Sequence, residues 1–144
     1  MTKRIVSALL AAAVAFSAFN ISVAAKEMTY ANLEIVVPAY EIASNPESTL
    51  IISGTTASCK STVTGKSVKS ISAEQTLEKF WGLWIWNEVD GGYWTKSVNS
   101  SILIMNNNKN KLDSGTYRLK TVFTLTSTSG ETETITVYSE EVTI

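Results

Sequence analysis

Leu112-Asp113-Ser114-Gly115-Thr116-Tyr117-Arg118-Leu119-Lys120-Thr121-Val122-Phe123-Thr124-Leu125-Thr126, then Ser127-Thr128-Ser129-Gly130, then Glu131-Thr132-Glu133-Thr134-Ile135-Thr136-Val137-Tyr138, reads as a β-hairpin. Tyr117, Leu119, Phe123 and Leu125 fall on one face, with Arg118, Lys120, Thr124 and Thr126 on the other. Only an extended chain, whose side chains alternate, puts those two sets on opposite faces. Gly130 closes a short polar turn, and Glu133, Ile135 and Val137 resume the alternation on the return.

The same pattern extends upstream. Met28, Tyr30, Leu33, Ile35 and Val37 predict a first strand over Lys26 to Tyr40, interrupted by Pro38, and Asn45-Pro46-Glu47 predicts a turn. Leu50 to Gly65 is a second strand region with Gly54 as a bulge, and in it Ala57, Cys59, Ser61 and Val63 alternate with Ser58, Lys60 and Thr62. Ser72 to Lys79 carries a capping-box pattern (Ser72, Gln75) that could open a helix. Ile71, Ala73 and Leu77 keep a period of two, so Val68 to Lys79 is read as a strand. Leu83–Val89 and Tyr93–Val98 are expected to pair around Asp90-Gly91-Gly92. Ser101 to Met105 is a further strand, and Asn106 to Lys111 is expected to be a mobile polar loop. About seven strands, with turn signals roughly every 8–12 residues, imply an all-β fold. The expected architecture is a single immunoglobulin-like or fibronectin-like antiparallel sandwich.

Residues 1–25 read as a signal peptide preceding a domain over 26–144. Lys3 and Arg4 form a positive start, Ile5 to Phe19 is apolar except for two serines, and Val23-Ala24-Ala25 suits signal peptidase. The apolar run falls short of the ~20 residues a spanning helix needs. A secreted, extracellular protein with no membrane contact after cleavage is therefore expected. Removing Lys3 and Arg4 from the 12 Lys and Arg leaves 10 against 13 Asp and Glu, a net charge of −3. So slight a charge gives no electrostatic reason to bind nucleic acid or an anionic membrane. The only cysteine, Cys59, cannot form an internal disulfide.

Leu112-Asp113-Ser114-Gly115-Thr116-Tyr117 resembles the loop entering the penultimate strand of immunoglobulin-like domains, where a corner tyrosine bonds back to the preceding backbone. The resemblance gives Tyr117 that part. It puts Leu119 where a cysteine would stand, and Cys59 where the other half of the bridge would be. More broadly, Pro38-x-Tyr40, Ala57-Ser58-Cys59, Thr76-Leu77-Glu78-Lys79, Trp94-Thr95-Lys96-Ser97-Val98, Gly115-Thr116-Tyr117-Arg118 and Glu133-Thr134-Ile135-Thr136 are similar to small secreted proteins of Gram-positive bacteria. That resemblance implies export and a single immunoglobulin- or fibronectin-like sandwich, and no activity.

Catalytic chemistry finds few footholds. There is no histidine, which removes the commonest general base, most zinc sites and the serine or cysteine triads. Cys59 on an alternating strand is expected to be a buried structural thiol near Leu119. No glycine-rich phosphate loop is present, and Glu74/Glu78 and Glu131/Glu133 are expected on solvated faces without a cleft. Glu140-Glu141 reads as edge charge, and Asn99-Ser100-Ser101 matches a glycosylation sequon. A non-enzyme with no cofactor or metal is expected, monomeric, with an unknown protein or glycan partner.

Only the tryptophans hint at a ligand. In the expected hairpin Leu83, Ile85, Val89, Trp94 and Val98 share one face, Trp94 being the core aromatic. Trp84, Trp86 and Tyr93 share the other, with Trp84 and Trp86 about 7 Å apart. These three would form an aromatic platform for a protein or a glycan. Alternatively Phe80, Trp81 or the first strand covers them, or the faces are reversed and they are core. Two functions follow: a non-catalytic structural or protein-interaction module at or outside the cell envelope, or a small carbohydrate-binding module using exposed Trp and Tyr.

Overall fold

A computed structural model describes residues 40–144. The expected signal peptide and the expected first strand up to residue 39 lie outside the described residues. Tyr40–Ile144 forms a compact unit with its own core. Its elements are β1 (Ala43–Ser53), β2 (Thr56–Gly65), β3 (Val68–Gly82), β4 (Ile85–Val98), β5 (Ile102–Lys109), β6 (Thr116–Ser127), β7 (Thr132–Tyr138) and β8 (Val142–Thr143). Every pairing is antiparallel. One sheet has the order β1-β2-β5; the other runs β4-β3-β6-β7, with β8 pairing the start of β6 where β7 has left it. The described residues form an all-β sandwich without helices.

The anticipated hairpin is β6–β7. Along β6, Tyr117, Leu119, Thr121, Phe123, Leu125 and Ser127 are all buried and the residues between them are half-covered. Val68 to Lys79 is strand, extended to Gly82, and buries Ile71, Ala73, Gln75 and Leu77. Three expectations give way. Asn45-Pro46-Glu47 is a bulge inside edge strand β1, at a register shift between Ser44 and Glu47, not a turn. Proline is tolerated there because an edge strand need not donate every N–H. Gly54, with φ 58°, is the first residue of the two-residue turn between β1 and β2 rather than a bulge. Asn106 to Lys109 is not a loop, because β5 pairs it with Ala57 to Lys60 of β2.

The fourth correction governs the site. Asp90-Gly91-Gly92 is no hairpin turn: β4 passes straight through it. Thr76 pairs Tyr93 and Glu78 pairs Glu88, so Val89 to Gly92 bulge out opposite the single residue Leu77. The glycine is needed for that fold-over, since a Cβ at Gly92 would lie 2.8 Å from the Val89 carbonyl oxygen and 3.1 Å from Leu77 Cβ. Such a bulge also breaks up a long exposed edge.

The core falls into two apolar clusters, each drawn from both sheets. One holds Val63, Ile71, Leu103, Phe123 and Leu125; the other holds Leu50, Cys59, Leu77, Tyr117 and Leu119. Each fully buried side chain of this size contributes about 1.5–3 kcal/mol. A polar seam also crosses between the sheets. Gln75 donates to the Ser61 hydroxyl at 2.7 Å and accepts from Asn107 Nδ2 at 2.8 Å. Ser61 shares a hydrogen bond with Thr121 at 2.7 Å, and Thr121 another with Ser48 at 3.0 Å. No buried side-chain nitrogen or oxygen among the described residues is left unpaired.

Candidate functional site

The turn joining β3 and β4 consists of Leu83 and Trp84, between the paired residues Gly82 and Ile85. Both have positive φ, 48° and 68°, the backbone of a two-residue turn that ordinarily selects Asn-Gly. For leucine and tryptophan this left-handed conformation is strained. Trp81 is the extra residue at the register shift between Phe80 and Gly82. At this tip Trp84 is 92% exposed, Leu83 88%, Trp81 75% and Ile85 47%. Leu83 and Ile85 therefore leave the core face expected of them, because the chain reverses at Leu83–Trp84 and not at Gly91-Gly92.

Trp84, Trp86 and Tyr93 do not form one platform. Trp84 stands in the turn. Trp86, opposite Phe80, points to the outer face of the five-stranded sheet, and its ring lies 5.2 Å from that of Phe80. Arg118 reaches across from β6, its guanidinium 4.1 Å from the centre of the Trp86 ring and 4.3 Å from that of Tyr138. The same guanidinium donates from Nε to Glu78 Oε2 at 2.7 Å. Trp86 is thereby half-buried under its own neighbours. Tyr93, half-exposed, pairs Thr76 on the same outer face, four residue rows (about 13 Å) along the sheet. Trp94 turns inward and packs against both core clusters.

The residues expected to be structural are positioned as follows. Cys59 is buried in the same cluster as Leu119, facing it from the other sheet, and burial pushes its thiol from an ordinary 9.0 up to about 12. Such a thiol stays protonated and inert near neutral pH. The Tyr117 hydroxyl donates to the Asp113 carbonyl oxygen at 2.6 Å, and Lys79 Nζ lies 5.5 Å from its ring centre. Two of the four paired glutamates are not on open faces. Glu78 is covered by Arg118, while Glu133 accepts from the backbone N–H groups of Glu41, Ile42 and Ala43 at 3.0, 3.1 and 2.9 Å. Phe80 against Trp86 is the covering alternative the sequence raised, whereas Arg118 and Tyr138 were missed. Their meeting depends on strand register, which no local pattern in the chain reveals.

Between the tip hairpin and residues 109–113 lies an open cleft of about 400 Å³. Lys79, Lys109 and Lys111 line it alongside Glu88, Asp90 and Asp113. No group of three or more Cys, Asp or Glu among the described residues is placed to hold a metal ion. Comparison with protein-family models, curated proteins and solved structures returned no match.

Proposed function

We propose that the chain is a secreted, non-catalytic module of the immunoglobulin- or fibronectin-like class that works by contact, through the apolar end of its β3–β4 hairpin. The observation that carries this is the tip itself. Trp81, Leu83 and Trp84 stand side by side in solvent, each more exposed than any other large apolar residue described, including Ile51, Ile102 and Ile104 on the three-stranded sheet. The class reading is supported by strand order. β1, β2 and β5 in one sheet against β3, β6 and β7 in the other match the immunoglobulin division, with β4 joining the β3 side. Tyr117 bonded back to Asp113 supports it as a corner tyrosine, and Cys59 facing Leu119 occupies the place of the absent bridge. Export is supported by residues 1–25, and a non-catalytic role by the lack of histidine and the buried thiol.

A carbohydrate platform would use Trp86 and Tyr93. Trp86 is overlaid by Arg118, and the two rings share no surface, which favours the tip as the contact. The test is retention on isolated envelopes of the cells that make the protein, using the chain from Lys26. Trp81→Ser with Trp84→Ser should abolish retention and leave the melting temperature unchanged. Retention undiminished in the double variant would sink the reading.

A further inference from the structure

Resting on that reading of the tip, we infer that its partner is a phospholipid bilayer: Trp81, Leu83, Trp84 and Ile85 sink into the boundary between headgroups and acyl chains. From Phe80 to Trp86 the side chains are Phe, Trp, none, Leu, Trp, Ile and Trp, so the indole N–H groups are the only polar side-chain atoms offered. A glycan or protein surface is selected by directed hydrogen bonds around an apolar centre. This tip offers almost none. It offers apolar area, with tryptophan, the residue type that settles at the membrane–water interface.

The apolar side chains also leave the hairpin at several points, Trp81 doing so at the rim of the charged cleft. Trp81 projects from the bulge, Leu83 and Trp84 from the turn, and Ile85 from the returning edge. Apolar groups spread over a bulge, a turn and a strand edge suit a fluid medium better than the wall of a groove. Its reach is appropriate too. Pairing of β3 with β6 ends at Lys79–Tyr117, while the hairpin continues through Phe80, Trp81 and Gly82. Two paired rows at ~3.3 Å each, with the turn beyond them, give an overhang of up to about 10 Å, the depth to which interfacial elements sink. Spanning would need ~9–11 residues per strand, so the hairpin dips and does not cross.

A polar collar marks where insertion stops. Lys79 and Asn87 flank the tip, and the adjoining cleft sets Lys79, Lys109 and Lys111 against Glu88, Asp90 and Asp113. That balance gives no attraction to anionic lipid, so uncharged-surface bilayers should suffice and salt should matter little. Hydropathy of the sequence implied no membrane contact after export because it detects spanning segments. A tip four apolar residues wide escapes it. The strained turn fits the same role, since bulky residues persist in left-handed backbone where the protruding side chains are needed.

Flotation with vesicles of pure phosphatidylcholine tests this, using the chain from Lys26. That form keeps every described strand and removes the apolar run Ile5–Phe19, whose own lipid affinity would mask the tip. The wild-type chain should co-float equally at low and high salt, and bromine on the acyl chains should quench its tryptophan emission. Leu83→Asn with Trp84→Gly supplies the residues the turn geometry prefers, so the fold is kept, and partitioning should fall roughly tenfold or more. No flotation of the wild type, with envelope retention still dependent on Trp81 and Trp84, overturns the lipid assignment and leaves the contact reading standing. Competition of that retention by soluble glycan, or self-association lost in the double variant, would identify the occupant instead and equally overturn it. Flotation unchanged in the double variant overturns the tip as the anchor.

Discussion

Hairpin β6–β7 turns through Thr128-Ser129-Gly130-Glu131, where the Ser127 hydroxyl accepts from Glu131 N–H and Gly130 takes a φ of 96°. Hairpin β3–β4 turns through Leu83-Trp84, with no polar side chain and two strained residues. Both hairpins bury an alternating face behind the turn. The first follows the residue preferences of a turn that has only to reverse the chain. The second departs from those preferences at the place where the most exposed large apolar side chains, Leu83 and Trp84, are held out in water. Residue choice at the β3–β4 tip runs against local stability, which accords with the contact role proposed for it.

Five measurements test that contrast. The largest effect belongs to Phe123→Ala, which removes a fully buried ring and should destabilise by about 3–5 kcal/mol in urea unfolding. Trp84→Ala should change stability by no more than about 0.5 kcal/mol, as for other exposed sites. A loss at Trp84 comparable to that at Phe123 would erase the distinction between the hairpins. Next comes Gln75→Leu. It strips Asn107 and Ser61 of a buried partner and should cost about 1–3 kcal/mol, despite replacing a polar residue with an apolar one in the core. Leu83→Asn with Trp84→Gly should raise stability by ~1–2 kcal/mol as the turn strain is relieved. A drop in the urea midpoint would mean the tip side chains support the fold after all.

The smallest effect at neutral pH is that of ionisation at Cys59. Below pH 9 the thiol holds its proton in both states, so its contribution is fully present. Above pH 9 the unfolded chain ionises while the folded thiol does not until about pH 12. Wild-type stability should therefore fall, relative to Cys59→Ala, as pH rises from 9 to 12. A difference between the two that stays flat across this range would refute burial of the thiol.

Strands whose faces alternate cleanly were legible in the chain, notably β2, β3 and β6. So was the division of most of β4, Trp86 and Tyr93 outward and Val89, Trp94 and Val98 inward, with Ile85 the exception. That division held although the hairpin imagined for it does not exist, because a bulge that restores the pairing after it leaves each half on its proper face. Turns were read less well. Asp90-Gly91-Gly92 has the residues of a turn yet bulges over Leu77, while Leu83-Trp84 has none of them yet is the turn. Glycine reports that backbone room is needed; it does not say for which purpose. Arg118 meeting Trp86, Tyr138 and Glu78 was invisible, since three pairing registers combine to place it.

The hydrogen bond from Asn107 to Gln75 bears on misfolding. A one-residue slide of β5 along β2 would turn every side chain to the wrong face and is rejected outright. A two-residue slide is more dangerous, because it keeps each face intact and still presents aliphatic groups to the interior. Shifted that way, β5 would bring either Met105 or Lys109 to where Asn107 now stands against Gln75. Methionine has no donor for the waiting amide oxygen, and lysine would carry an ammonium group into a dry seam. The polar seam thus works as a proofreading key, telling apart two alignments that hydrophobicity alone scores as equal.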